Sequence, residues 1–131
     1  MSAATIEEAI REILATNSTV KAITTRVYPS TLPQAPVYPL ILYIRISGRR
    51  ENTLGGPSGM ANPRFQIEAW AATYSAAKAL ANAIRGALNG HQGTVGQVEI
   101  GSLLIQSERD VYEPEVACHR IIMDYSIWHK E

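Results

Sequence analysis

The chain has 131 residues, and its twelve Lys and Arg balance twelve Asp and Glu. This length suits one domain, spanning residues 1–131, able to bury about two-thirds of its unfolded surface. The neutral balance argues against a protein that grips DNA through its phosphates, since a basic surface supplies most of that affinity. A surface past which DNA slides without being held stays open. Cys118 is the only cysteine, so an intrachain disulfide is excluded and a reducing cytoplasm is the natural setting. Met1–Thr5 lacks the basic and apolar blocks of a signal peptide. The longest apolar run, Val37–Ile44, holds eight residues with Pro39 among them, against about twenty for a membrane span. A soluble protein is expected, and the sequon at Asn17 is treated as chance.

The first predicted element is a helix from Ile6 to about Ala15. Ile6, Ala9, Ile10, Ile13 and Leu14 make one stripe, and Glu7 and Glu8 sit where the helix dipole favours negative charge. After a break at Thr16–Thr19, Val20–Thr24 reads as a short second turn. Arg26–Pro29 reads as a brief strand. Ser30–Pro39 holds three prolines and is expected to be extended and irregular. Leu40–Ser47 alternates as a strand, with Leu40, Leu42, Ile44 and Ile46 expected toward the core. In the strand Arg64–Ala71, Phe65, Ile67, Ala69 and Ala71 are expected inward. The strongest helix is Tyr74–Asn89, capped by Thr73 and stopped by Gly90. Val98–Ser107 and Cys118–His129 complete the strands, joined by the charged connection Glu108–Ala117. In the last strand Ile121, Met123, Tyr125 and Ile127 are expected inward. This order predicts an α+β domain of two layers: an antiparallel β-sheet with both main helices packed on one face.

Between Leu40–Ser47 and Arg64–Ala71 run sixteen residues, Gly48–Pro63, with four Gly and two Pro. Hairpin connections are usually two to five residues, and structureless loops beyond about 12–15 are uncommon unless they have a role. If both halves were extended, eight residues at ~3.3 Å would reach roughly 26 Å, onto a neighbouring molecule. The segment therefore reads as a long hairpin arm made for contact, with Arg49, Arg50 and Glu51 at its base and Leu54, Gly55, Gly56, Pro57, Ser58, Gly59 and Met60 toward its tip.

Catalytic and ligand sites find little support. Gly55–Gly59 lacks the Lys-Ser/Thr that a phosphate-binding loop needs at a helix start. His119 and His129 share a strand face but lie roughly 33 Å apart at strand rise. With Cys118 and His91 they offer no set of about four converging zinc ligands. Glu108, Asp110, Glu113 and Glu115 lack the glycine and oxygen spacing of a calcium loop and read as a solvated loop or docking surface. Neither do these carboxylates come with anything that builds a sugar cleft. Ser47, Ser58 and Ser126 lie outside any G-x-S-x-G turn. No enzyme activity, cofactor or metal is expected. Trp70 and Trp128 fall on the outward parity among Arg64, Glu68, Arg120 and Asp124. Either loops fold over them, or this face packs on another subunit.

Several segments together carry a family resemblance: Arg26-Val27-Tyr28-Pro29, Tyr38-Pro39-Leu40-Ile41, Gly56-Pro57-Ser58-Gly59, Gln66-Ile67-Glu68-Ala69-Trp70 running into Ala71-Ala72-Thr73-Tyr74, Glu108-Arg109-Asp110 with Tyr112-Glu113-Pro114, and Asp124-Tyr125-Ser126-Ile127-Trp128-His129. Across about Arg26–Glu131 the chain resembles the tail-completion, or tail-terminator, proteins of long-tailed bacteriophages. Prophages, phage-like bacteriocins and gene transfer agents carry similar proteins. One departure is Gly55, where a polar residue is expected before Gly56, which makes the loop more flexible. The resemblance implies a structural virion protein at the head–tail junction, assembled in the host cytoplasm. It implies a ring of six copies that ends the tail tube and joins it to the head connector. Its partners would be itself, the tube protein and the connector or stopper protein, with DNA passing through and no membrane contact. Tyr112 and Glu113 join Trp70, Trp128 and the arm as candidate contact residues. The alternative is a small soluble α+β protein-binding module unrelated to phage tails.

Overall fold

The computed structural model describes residues 3–48, 50–53 and 56–130, without the side chains of residues 50–58. Helix α1 spans Ile6–Thr16. Thr5 caps it by accepting from the Glu8 amide at 3.2 Å, which satisfies one of the donors left free at a helix start. Asn17 ends α1 and caps the six-residue helix α2, Ser18–Ile23, accepting from the Thr19 and Val20 amides at 3.1 Å each. Helix α3, Tyr74–Leu88, starts at Thr73, whose hydroxyl accepts from the Ala76 amide. Past its end Gly90 takes φ +83°, a left-handed turn that a side chain would strain.

Among the described residues eight strands form one sheet: β1 (Val27–Pro29), β2 (Leu40–Ser47), β3 (Arg50–Thr53), β4 (Gly56–Ala61), β5 (Arg64–Ala71), β6 (Gly93–Val95), β7 (Val98–Glu113) and β8 (Cys118–Lys130). The α+β class and the helices agree with the sequence reading. One pairing departs from it: β1 runs parallel to β2, with Val27 opposite Ile41, while the remaining pairs are antiparallel. Residues opposite one another share a face, and the rows Ile41–Ala69–Ile121 and Tyr43–Ile67–Met123 face the helices. They join Ile10, Leu14, Leu80, Ile84 and Leu88 in the main core cluster. As expected, Phe65, Ile67, Ala69, Ala71, Ile121, Met123, Tyr125 and Ile127 belong to it.

The parity expected for β2 is reversed. Ile41 and Tyr43 enter the core cluster, whereas Leu40 and Leu42 are buried on the other side of the sheet, Ile44 is half-buried and Ile46 is exposed. Leu40 through Tyr43 are all buried, and a strand covered on both faces carries no alternation to read.

Glu108–Ala117 is likewise not a loop. β7 continues to Glu113, paired residue by residue to Cys118, and only Pro114–Ala117 turns. Here the strand outruns its apolar cover. Glu108 and Asp110 lie opposite Met123 and Ile121, on the helix-facing parity, but meet the cations of α3. Lys78 Nζ lies 3.1 Å from Asp110, and Arg85 Nη1 lies 2.8 Å from Glu108.

Candidate interaction surface

The arm is a true hairpin for much of its length. Arg50 pairs with Ala61, Asn52 with Pro57 and Thr53 with Gly56, with a register shift between Arg50 and Asn52. Its root belongs to the sheet, since Met60 and Ala61 pair with Lys130 and His129 of β8. Asn62 fastens the bend between β4 and β5, donating from Nδ2 to Ser126 Oγ at 3.0 Å and to the Ile127 carbonyl at 2.8 Å. The Ile127 amide donates to the Pro63 carbonyl at 3.1 Å. Beyond the Met60–Lys130 pair, Gly56–Gly59 and their partners run past the last described residue of β8. At ~3.3 Å per residue this overhang is roughly 13 Å, half the reach of a wholly free arm. Gly59 has φ +81°, which favours glycine at that point.

Of the predicted arm residues, Arg49, Leu54 and Gly55 lie outside the described residues. Arg50, Glu51, Gly56, Pro57 and Ser58 are placed as backbone in β3 and β4, and Met60 is half-buried at the root. The structure separates the others. Trp70, Glu113 and Trp128 lie on the sheet face away from the helices, whereas Tyr112 shares the helix-side parity beyond the start of α3.

On the outer face Glu68 is almost fully buried, at 1 % exposure. Its row is Leu42–Glu68–Ile122, with Leu40–Trp70–Arg120 beside it. Arg120 donates to Glu68 Oε1 from Nε at 3.0 Å and Nη2 at 2.8 Å, and Trp70 Nε1 donates to the same oxygen at 2.9 Å. Gln66 supplies Oε2, and Arg120 Nη1 also pairs with Glu113. A buried carboxylate needs such partners, because an unpaired charge there is expensive. Burial works against the charged form of Arg120, but Glu113 and Glu68 outweigh it and hold its pKa above the ordinary value.

The Arg120 guanidinium lies 4.7 Å from the Trp70 ring centre, and Tyr38 stacks on Trp70 at 6.4 Å with 12° between planes. The proline-rich segment therefore reaches over this face through Tyr38, and Trp70 packs within its own chain. Cys118 is buried under the same cover, and desolvation raises its thiol pKa. Trp128 is half-buried opposite Ser102. The hub of this face, Glu68, was not singled out from sequence. The signal was a lone Glu flanked by Gln66 and Trp70, all on one strand face.

At the end of the sheet opposite the arm, Tyr74 and Tyr112 flank His119, with ring centres 5.7 and 4.8 Å away. Both tyrosines are about half exposed. Tyr74 donates its hydroxyl to Asp110 at 2.6 Å. Among the described residues no strand pairs with the β7 edge from Gln106 to Glu113, or with the β2 edge beyond Tyr43. None of their helices is long and apolar enough to cross a membrane.

Among the described residues the sheet thus keeps open edges at β2 and β7, and the β3–β4 hairpin extends from its root at Met60–Lys130. Residues 8–130 match the family described as "Tail completion protein gp17", and the chain belongs to that family of phage tail structural proteins. This displaces the reading as a binding module unrelated to phage tails. A similar solved structure is a chain of the "Virion of native gene transfer agent (GTA) particle", with 16 % identity and a TM-score of 0.74. That match covers 96 % of this chain and 95 % of the other, and shows a shared fold. No curated protein matches.

Proposed function

We propose that this chain, acting as one domain, forms a ring of six copies that ends the tail tube and joins it to the head connector. The ring assembles in the host cytoplasm, takes its place at the head–tail junction and lets DNA pass without gripping it. It contacts no membrane and catalyses no reaction. Its partners are further copies of itself, the tube protein and the connector protein. Family membership supports the setting. The observation that carries the contact role is the β3–β4 hairpin, rooted by the Met60–Lys130 pair and paired onward to Thr53 and Gly56. The open edges of β2 and β7 suit a head-to-tail contact, which closes into a ring when the rotation permits.

Deleting Asn52–Gly59 tests this reading, because the Arg50–Ala61 pair can then be closed by Glu51 and Met60. The shortened protein is expected to keep its circular dichroism and to melt within about 4 °C of the parent, a loss of no more than roughly 1 kcal/mol. Particles made with it are expected to show heads and tails unjoined in electron micrographs. Joined, infectious particles would remove the contact role from the arm.

A further inference from the structure

Four of the six large apolar side chains left exposed among the described residues stand at the end of the sheet away from the arm. Tyr74 and Tyr112 flank His119 beside β7, and Val116 lies in the turn that leads from β7 to β8. Val37, the fourth, is on the opposite edge. Its carbonyl accepts from Arg26 Nε at 2.9 Å, and the Arg26 carbonyl accepts from the Ile41 amide at 2.9 Å, which fixes it beside the start of β2. The row Leu40–Trp70–Arg120–Val111 puts both edges at one height, since Tyr112 follows Val111.

The two surfaces suit each other chemically. Segment Thr31–Val37 has no charged residue and offers no N–H at Pro33 and Pro36, and Pro33, Ala35 and Val37 are exposed. Each proline fixes φ and so lowers the cost of ordering the segment, and proline-rich segments dock on exposed aromatic rings. Opposite, Asp110 accepts from Tyr74 and Lys78, and Glu113 pairs with Arg120. Covering the tyrosines therefore leaves none of these charges without a partner. The surfaces cannot meet within one chain. With β2, β5 and β8 between β1 and β7, the edges are roughly 19 Å apart. The segment is also tied at both ends, through Ser30 N–H to the Tyr43 carbonyl and through Val37 to Arg26.

We propose that segment Thr31–Val37 of one copy docks on the Tyr74–His119–Tyr112 surface of the next copy. The inference rests on the reading of the chain as a ring and names a contact that closes it. Each copy carries one half on each edge, so the contact runs head to tail and repeats around the ring. The segment leans over the outer face through Tyr38, whereas Tyr112 has the helix-side parity, so adjoining copies overlap at their edges.

The test joins Val37→Cys with Val116→Cys, both at exposed positions, in particles treated with a short bismaleimide. The parent, whose Cys118 is buried, is the control. A ladder of dimers and larger multiples is expected on a denaturing gel, absent from the parent and from either single variant. Monomers alone, from particles whose micrographs show the ring, overturn the docking and leave the ring standing. Dimers without larger species overturn it in favour of a two-fold contact. An amidated, acetylated peptide of residues 31–37 is also titrated against the isolated protein, at a concentration where sedimentation shows a monomer. It is expected to shift the Tyr112 and Val116 amides saturably in NMR, with a Kd of about 1 mM or tighter, and Tyr112→Ala to weaken it about tenfold. Silence overturns the docking whatever the ring does. Saturable binding by a protein whose particles contain no ring supports the docking surface and removes the ring.

Discussion

The two faces of the central sheet are made by alternate residues of the same strands, yet they are held by different physics. On the helix side, Ile41, Ala69 and Ile121 lie in one row, and burial of apolar area under α1 and α3 stabilises it. One residue along, Leu40, Trp70 and Arg120 form the neighbouring row, and a buried carboxylate at Glu68 is satisfied by an arginine, a tryptophan and a glutamine. The first face is held by non-directional burial and is weakened chiefly by loss of volume. The second depends on geometry and on the match of one charge to another. A polar outer face is therefore not by itself a free face.

Adjacent residues of β8 give the widest test of that contrast. Ile121→Ala, on the helix side, is expected to cost about 3 kcal/mol in urea unfolding, as a core cavity does. Arg120→Ala leaves Glu68 buried without its cation. Because the arginine side chain keeps 20 % exposure, the expected cost is about 2–3 kcal/mol, below that of a fully buried pair. The two losses differ in what repairs them. Adding Glu68→Gln should restore at least half of the stability lost by Arg120→Ala and none of that lost by Ile121→Ala. Equal behaviour of the two backgrounds would show that Glu68 does not depend on Arg120.

The same contrast explains what the sequence revealed. The stripe of α3 and the inward set Ile121, Met123, Tyr125 and Ile127 were legible, because one covered face produces a clear period. Thr73 was readable as the residue before α3 through its capping chemistry. Leu40–Tyr43 misled, because segment 30–39 and the helices bury both faces of that stretch. Glu108–Glu113 misled in the opposite way: its side chains are charged on both parities, since Lys78 and Arg85 replace an apolar cover. Half of the arm was hidden for a similar reason, as backbone pairing at Met60 and Ala61 leaves no trace in side-chain period.

A smaller change sharpens the outer-face side of the comparison. Trp70→Phe keeps the ring that Tyr38 stacks on and removes the indole donor to Glu68 Oε1. Arg120 still supplies that oxygen, so the expected loss is about 1 kcal/mol, read from the midpoint of urea unfolding at unchanged slope. A loss as large as that of Arg120→Ala would mean that the stacked ring, and not the hydrogen bond, carries the cover of this face.

The weakest predicted effect lies where β7 leaves the core and charge meets charge in the open. The hydrogen bond from Tyr74, and then that from Lys78, hold the Asp110 carboxyl below the usual carboxylate range. A carboxyl whose folded pKa is depressed adds stability above its unfolded value and loses it as pH falls through the folded one. Asp110→Asn should therefore reduce stability slightly at neutral pH, with the difference from the parent shrinking to nothing as the pH is taken below the ordinary carboxylate range. Salt should reduce that difference as well, because the group is open to solvent. The Arg120–Glu68 pair, shielded beneath Tyr38 and Trp70, should respond far less to salt. If Asp110→Asn proved as costly as Arg120→Ala and equally indifferent to salt, the exposed end of β7 would have to be covered in solution, and self-association of the parent would be the first thing to measure.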